Sequence, residues 1–279
     1  MKRSLVSTVV LLGLLNFFST VSFSHPIAGS NTDPKKKAPP HGDTVFYYNE
    51  RGKIIWMDVN APEKMSYVIK TKRTSGHIYG DIGQQSAGYC PADVVAISRR
   101  DYKKVEKLIK SGNTGNDFVR NNIIRILNRD ILRSMRSNIK DDGNGDVHNE
   151  NNKEYGGYVK SNGMIADTAS GAVVDPCTLS GAHIVLTGMG KFEFHSHPSG
   201  TRKNGGDDDI TQRVTSTGSR TSFPEKTETF HYIQGPSKTD QVSIRTGNWG
   251  YVFGMEDKRI YVYNNHGVVA ILSFKAFER

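Results

Sequence analysis

Two histidines one residue apart, stopped by a proline, constrain this chain more than any other feature: Lys191-Phe192-Glu193-Phe194-His195-Ser196-His197-Pro198-Ser199-Gly200. Side chains alternate between the faces of a β-strand, so His195 and His197 project together, Glu193 shares their face, and Ser196 faces away. Pro198 cannot continue a ladder and Gly200 frees the chain to turn, which places the imidazole pair at a strand end. Two nitrogens on one face are half of a zinc site. A catalytic zinc takes three protein ligands and a water, so a third donor must come from elsewhere in the chain.

The first residues set the compartment. Met1-Lys2-Arg3, the uncharged run Ser4 to Val21 with its apolar centre Val9 to Leu15, and the small residues Ser22 and Ser24 before His25 read as a signal peptide over residues 1–24. The apolar stretch is too short for a comfortable bilayer span, and no cysteine near the cleavage region offers an acylation site. The expected product is therefore periplasmic or secreted, without a membrane anchor. Its removal takes away Lys2 and Arg3 and no acid, so the formal charge falls from +9 to +7. A basic chain of this kind is either simply well solvated or drawn to an anionic envelope polymer; a nucleic-acid partner is not expected. Cys90 and Cys177, the two cysteines, leave one disulfide open, which only their spatial separation decides.

Residues 25–43, with Asp33-Pro34-Lys35-Lys36-Lys37-Ala38-Pro39-Pro40, have too few apolar groups to offset ordering entropy and read as a linker. A small α+β region follows over 44–149. Strands are expected at Thr44 to Tyr48, Lys53 to Val59 and Ser66 to Thr71, and a helix at Arg99 to Lys110 stopped by Gly112. Val119, Ile123, Leu127, Ile131 and Met135 recur every four residues and predict one helix from Asn116 to Asn138, with Arg125, Arg129, Arg133 and Arg136 as a solvated face. In the loop Asp141 to Asn152, Asp142, Asn144 and Asp146 alternate as in a calcium loop, but Val147 and Lys153 replace the required Gly and Glu, so a plain loop is expected. From Tyr155 onward the chain reads as strand-rich, with strands at Tyr158-Val159, Ala172 to Val174, His183 to Thr187, Lys191 to His195, His231 to Gln234, Tyr251 to Met255, Arg259 to Tyr263 and Val268 to Ser273. This half is expected to be a compact mixed α/β domain.

His-Ser-His-Pro-Ser-Gly resembles the His-x-His-Pro core of the JAB/MPN (JAMM) zinc metallopeptidases, and its Pro-Ser-Gly tail is similar to bacterial RadC-type members. In that family a Glu on an early strand precedes the histidines and a Ser-x-x-Asp follows them. Glu154, opening Glu154-Tyr155-Gly156-Gly157-Tyr158-Val159, corresponds to the first, and Ser237-Lys238-Thr239-Asp240 to the second. The family closes the gap from Pro to Ser with a handful of residues, whereas 38 lie between Pro198 and Ser237 here. The polar, Gly-rich run Thr201 to Glu228 reads as an insertion looped out of the domain. The family's usual spacing lands instead on Asp207-Asp208-Asp209, which keeps an acid and loses the serine. Asp240 is favoured as third ligand, with Asp208 and Asp209 as alternatives.

The resemblance covers about residues 150–274 of a domain read as 150–279, and implies an α/β (α+β) fold, a mixed sheet flanked by helices of the cytidine-deaminase-like kind. It implies a zinc ion (Zn2+) on His195, His197 and Asp240, Glu154 as general base, Ser237 as oxyanion donor, and hydrolysis of a peptide or isopeptide bond in a peptide or protein substrate. A non-catalytic zinc-binding module and a secreted toxin or effector domain fit the same residues; the former is favoured if Glu154 stands far from the histidines. Glu193 is read as a strand-end charge or a second-layer partner, and His183 as a structural imidazole. His25, His41, His77, His148, His231 and His266 lie outside any motif.

Overall fold

The computed structural model describes residues 43–61, 64–72, 91–145, 149–174, 183–188, 190–204, 213–214, 220–221 and 228–278. The leader, all but the last residue of the 25–43 linker, both cysteines, Asp207 to Asp209, His25, His41, His77 and His148 lie outside the described residues. Strands β1 (Asp43–Tyr48), β2 (Ile54–Ala61) and β3 (Met65–Ile69) occupy the three expected runs. β1 pairs antiparallel with β2 and parallel with β3. Gly52, at φ +70, turns the first hairpin where a side chain would strike the Ala276 backbone. Helix α1 (Arg99–Lys110) starts at Ser98, whose hydroxyl accepts from the Asp101 amide, and packs Tyr102, Val105 and Ile109 against Ile69 and Val119.

The single helix expected from Asn116 to Asn138 is corrected: the chain forms α2 (Asp117–Arg120), β4 (Ile123–Ile126) and α3 (Arg129–Ser137). Asparagines punctuate it. Asn116 caps α2; the Asn122 side chain donates to the Phe118 carbonyl that a continuing helix would need; and Asn128 accepts from the Asp130 and Ile131 amides to start α3. Between them the β-branched Ile123, Ile124 and Ile126 pair with β3, which completes a four-stranded sheet in the order β2-β1-β3-β4. The arginine face dissolves with the helix. Arg129 and Arg133 donate to the Phe277 carbonyl and Arg136 to that of Ile139, so three of the four arginines bind backbone.

The second half adds β5 (Tyr155–Val159), β6 (Ile165–Ser170), β7 (Phe192–His197), the short strands β8 (Thr201–Asn204), β9 (Arg213–Val214), β10 (Arg220–Thr221) and β11 (Glu228–His231), helix α4 (Lys238–Ser243), and β12 (Trp249–Gly254), β13 (Arg259–Asn264) and β14 (Gly267–Ser273). Six of them form a sheet in the order β14-β13-β12-β7-β5-β6, antiparallel except where β12 runs parallel to β7. β6 was not expected. It returns from β5 through a turn at Gly163, φ +82. Ala172 to Val174 and His183 to Thr187, read as strands from sequence, carry no ladder, and the ladder strand expected at His231 to Gln234 ends at His231.

One face of the six-stranded sheet sends Phe194, Tyr251, Phe253, Ile260 and Val262 into a core shared with Tyr48, Val68 and Ile126 of the first sheet and Leu132 and Met135 of α3. The boundary at residue 150 thus separates the two sheets in sequence but not their core, and His41–Arg279 is one unit. The opposite face carries the histidines, with Val252, Tyr261 and Tyr263 packed under Ile244 and Ala92. This is a mixed α+β architecture with few helices, in coarse agreement with the expected class.

Three features hold the strand end after His197. The insertion is closed by β8 against β11 with Thr201 opposite His231, so the long detour returns to where it began. Gln234, fully buried, donates to the Pro198 carbonyl at 2.8 Å and accepts from the Glu256 amide at 2.8 Å. Asp141, with no exposed surface, accepts from the Ser199 amide at 2.7 Å, the Ser199 hydroxyl at 2.6 Å and the Gly143 amide at 2.7 Å. In the neighbouring loop, Asp142, Asn144 and Asn151 bond one another, and the Lys258 ammonium takes the Asp142 and Gly143 carbonyls.

Leaving a buried donor unpaired costs roughly 1–3 kcal/mol. Asp141→Ala strands two, the amide and hydroxyl of Ser199, so it is expected to lower stability by at least about 2 kcal/mol in urea unfolding. A loss below about 1 kcal/mol would show that the turn after His197 is held by something else.

Candidate metal centre

Register assembles the site. β5 runs antiparallel to β7 with Gly156 opposite His195, and continuing that pairing two residues back sets Glu154 opposite His197 on the same face. The Glu154 Oε1 atom lies 3.8 Å from His197 Nε2. Gly156 is required there, because a Cβ would stand 2.6 Å from the Phe194 carbonyl and 3.1 Å from the His195 Cβ. Ser196, facing away from the site, accepts from the Tyr155 amide at 2.9 Å and pins the register from the other side.

The third donor arrives on α4. Ser237 and Asp240 form a capping box: the Ser237 hydroxyl accepts from the Asp240 amide, and the Ser237 amide donates to Asp240 Oδ2 at 2.6 Å. The Ser237 hydroxyl also donates to Oδ2, at 2.8 Å. The same carboxylate faces both imidazoles, with Oδ1 3.6 Å from His195 Nε2 and Oδ2 3.8 Å from His197 Nε2. Behind α4, the Asp93 carboxylate takes Lys238 and Gln241, and the Ala92 amide donates to the Pro236 carbonyl at 3.0 Å. The region before residue 150 therefore props the helix that carries Asp240.

The electrostatics divide the two carboxylates. Burial pushes the Glu154 carboxyl up to about 8, with the Ile184 amide and the charge of His195 opposing the shift. Burial also acts against Asp240, but the positive charges of His195 and His197 beside it hold it well below the usual carboxylate range. The histidines split as well. Burial opposes charge on His195, yet Asp240, Glu154 and Glu193 carry it up to about 9, whereas burial and the neighbouring His195 push His197 down to about 4. The carbonyls of Ile233 and Gly235 accept from the His197 ring, the kind of support that fixes the orientation of a metal-bound imidazole.

The fit of this group to a cation rests on a buried orphan. His195 Nε2 has no hydrogen-bond partner, although the residue is 5% exposed. It points into a cluster in which one ligand atom each of His195, His197 and Asp240 lie within 4.8 Å of one another, the one such group among the described residues. Three donors spaced in this way around an unpaired nitrogen could bind a metal ion.

All five residues singled out from sequence, Glu154, His195, His197, Ser237 and Asp240, meet at this site. Glu193 is on the same face, accepts from the Tyr263 hydroxyl at 3.1 Å, and has its carboxyl raised mainly by burial. His183 is exposed and is not among the three clustered donors. Asp141, Gln234 and Ser196, which position the ligands, were not singled out as candidates; the only local cue was the Asp-x-Gly turn at Asp141, common to ordinary loops. No helix among the described residues is long and apolar enough to cross a membrane. Comparison of the chain with protein-family models, with curated proteins and with solved structures finds no match in any of the three.

Proposed function

We propose that this protein is a zinc-dependent hydrolase of the JAB/MPN (JAMM) type that cleaves a peptide or isopeptide bond. The observation that carries the reading is the placement of a buried carboxyl, Glu154, 3.8 Å from a ring nitrogen of a three-donor cluster. A structural metal site is closed and needs no such group, whereas a hydrolytic one needs a base beside its open position. Two imidazoles and one carboxylate form a donor set that suits zinc. When bound, zinc supplies Lewis acidity and lowers the pKa of a water in its fourth position towards ~7.

The chain's own groups do the rest. Glu154 takes a proton from the attacking water and passes it to the departing amine, a double duty suited to a carboxyl whose affinity for protons is raised by burial. Asp240 cannot share that role, because the histidines keep it ionised and the capping box fixes its orientation. Ser237 first serves to aim Asp240. To stabilise an oxyanion, its hydroxyl hydrogen must exchange from Oδ2 to the substrate. An exported chain would meet envelope peptides, secreted proteins or peptidoglycan cross-links, and these are the proposed substrates.

Three measurements test the reading. Purified protein should carry about one zinc per chain, and zinc at a hundred times its Kd should stabilise the fold by about 2.7 kcal/mol in the wild type and by almost nothing in His197→Ala; equal zinc content in the two proteins would remove His197 from the ligand set. Asp240→Asn is expected to weaken zinc binding at least about tenfold, on the order of 1.4 kcal/mol. Unchanged affinity would leave the third ligand to be sought at Asp208 or Asp209. Glu154→Gln should retain the metal and lose hydrolysis, since an amide has the shape of the acid but cannot accept the proton. Full activity in that variant would end the assignment of the base.

A further inference from the structure

We propose that the outer face of α1 is a docking surface for an extended phosphate polymer. Arg99, Arg100, Lys103, Lys104, Lys107 and Lys110 are all exposed on this one helix. Its apolar side chains Tyr102, Val105 and Ile109 are buried against the first sheet, so the cations stand on a fixed support. The helix has 12 residues. At the helical rise per residue, the cations recur roughly once every 3 Å of axis. That density matches the ~3.4 Å between charges along one strand of a nucleic-acid backbone, a dense phosphate chain. A lone phosphate reaches one turn of the array, whereas an extended polymer reaches all of it.

The helix itself makes little use of these charges. Of its two acids, Asp101 accepts from the Ser98 hydroxyl at 2.6 Å and Glu106 pairs with Lys110 at 3.0 Å. Lys104 rests over the Phe118 ring, 4.1 Å from its centroid. Arg99, Arg100, Lys103 and Lys107 form no ion pair among the described residues. Arg99 with Lys103, Arg100 with Lys104, and Lys103 with Lys107 stand four apart, where like charges repel. Arg99 and Arg100 also occupy the first turn, where the helix dipole disfavours cations. A face that served solubility alone would intersperse acids with bases. A polyanion removes this repulsion on binding and releases its own counterions.

Other anionic partners fit this face less well. Tyr102, the one aromatic residue of α1, is buried, so no ring of the helix is offered to stack on a base. The apolar stripe is covered by the sheet, which leaves none to enter a bilayer. α1 packs against Ile69 and Ile123, while their neighbours Val68 and Ile124 turn to the core shared with the second sheet. A polymer on α1 therefore leaves the histidine cluster, on the far face of that second sheet, uncovered. The proposal does not depend on a metal there.

The test titrates the full chain into end-labelled, short-chain inorganic polyphosphate and follows fluorescence anisotropy across a series of salt concentrations. Arg100→Gln/Lys103→Gln/Lys107→Gln is expected to weaken binding at least about tenfold and to lower the slope of log K against log salt by about two to three. Lys140→Gln/Lys160→Gln/Lys275→Gln removes the same charge from exposed positions outside α1 and is expected to weaken binding far less. The α1 variant should unfold in urea at a midpoint no lower than the wild type, since its substitutions are exposed and relieve repulsion, and this separates a lost contact from a lost fold. Equal weakening by the two triple variants would assign the effect to net charge and overturn the proposal. So would unchanged affinity in the α1 variant, no binding of polyphosphate by the wild type at low salt, or tighter binding to single-stranded DNA of equal charge or to phosphatidylglycerol vesicles.

Discussion

The site depends first on the pairing of β5 with β7. Gly156 opposite His195 puts Glu154 opposite His197, and the Ser196 hydroxyl on the far face accepts from the Tyr155 amide in the same register. A slip of one residue would turn every β5 side chain to the other face and send Glu154 into the core side of the sheet. Gly156 serves as a check on that register, because only a residue without Cβ can lie beside the His195 backbone. The proposed chemistry is therefore set by strand alignment before any side chain chooses a rotamer.

The second dependency is on α4, where one short motif does two tasks. The capping box of Ser237 and Asp240 satisfies backbone donors at the start of a six-residue helix that could not persist alone. The same bonds orient the Asp240 carboxylate towards both histidines. Loss of the cap would thus unseat the Asp240 carboxylate and the helix together. Glu154, held mainly by burial, and Asp240, held by positive neighbours, are driven apart in proton affinity by their surroundings, which is how two carboxylates can take different roles within one site.

The sequence revealed most where a pattern had a single physical reading. Alternation and Pro198 placed the histidines on one strand end, and the apolar periodicity of Arg99 to Lys110 with Gly112 beyond it matched α1. It misled where two periods coincide. Apolar residues every fourth position suit a helix, yet β-branched Ile123, Ile124 and Ile126 found partners on β3, and Asn122 and Asn128 broke the helix that the spacing suggested. Contacts across the fold had no local sign. Nothing near Gln234 announces that it will bond to Pro198, 36 residues away, nor does anything near Asp141 point to Ser199.

The least legible part is the dependence of the site on the first half of the chain, which shows no catalytic motif. Residues 92–97 run from α4 to the first sheet. Asp93 holds Lys238 and Gln241 while its carbonyl accepts from the Val268 amide, Val95 donates to Val268, and Ile97 donates to Thr71. Thr71 in turn donates to Val269, so the segment is laced to the edge of β14 and to the end of β3. α4 is short and carries Asp240, so its position is supplied by this strap and by Ile244 beneath it. Binding that favours the native arrangement stabilises everything the arrangement requires. If the cluster holds a metal as proposed, its affinity and the integrity of the first sheet are linked through Asp93, although that residue lies far outside the motif that drew attention to the site.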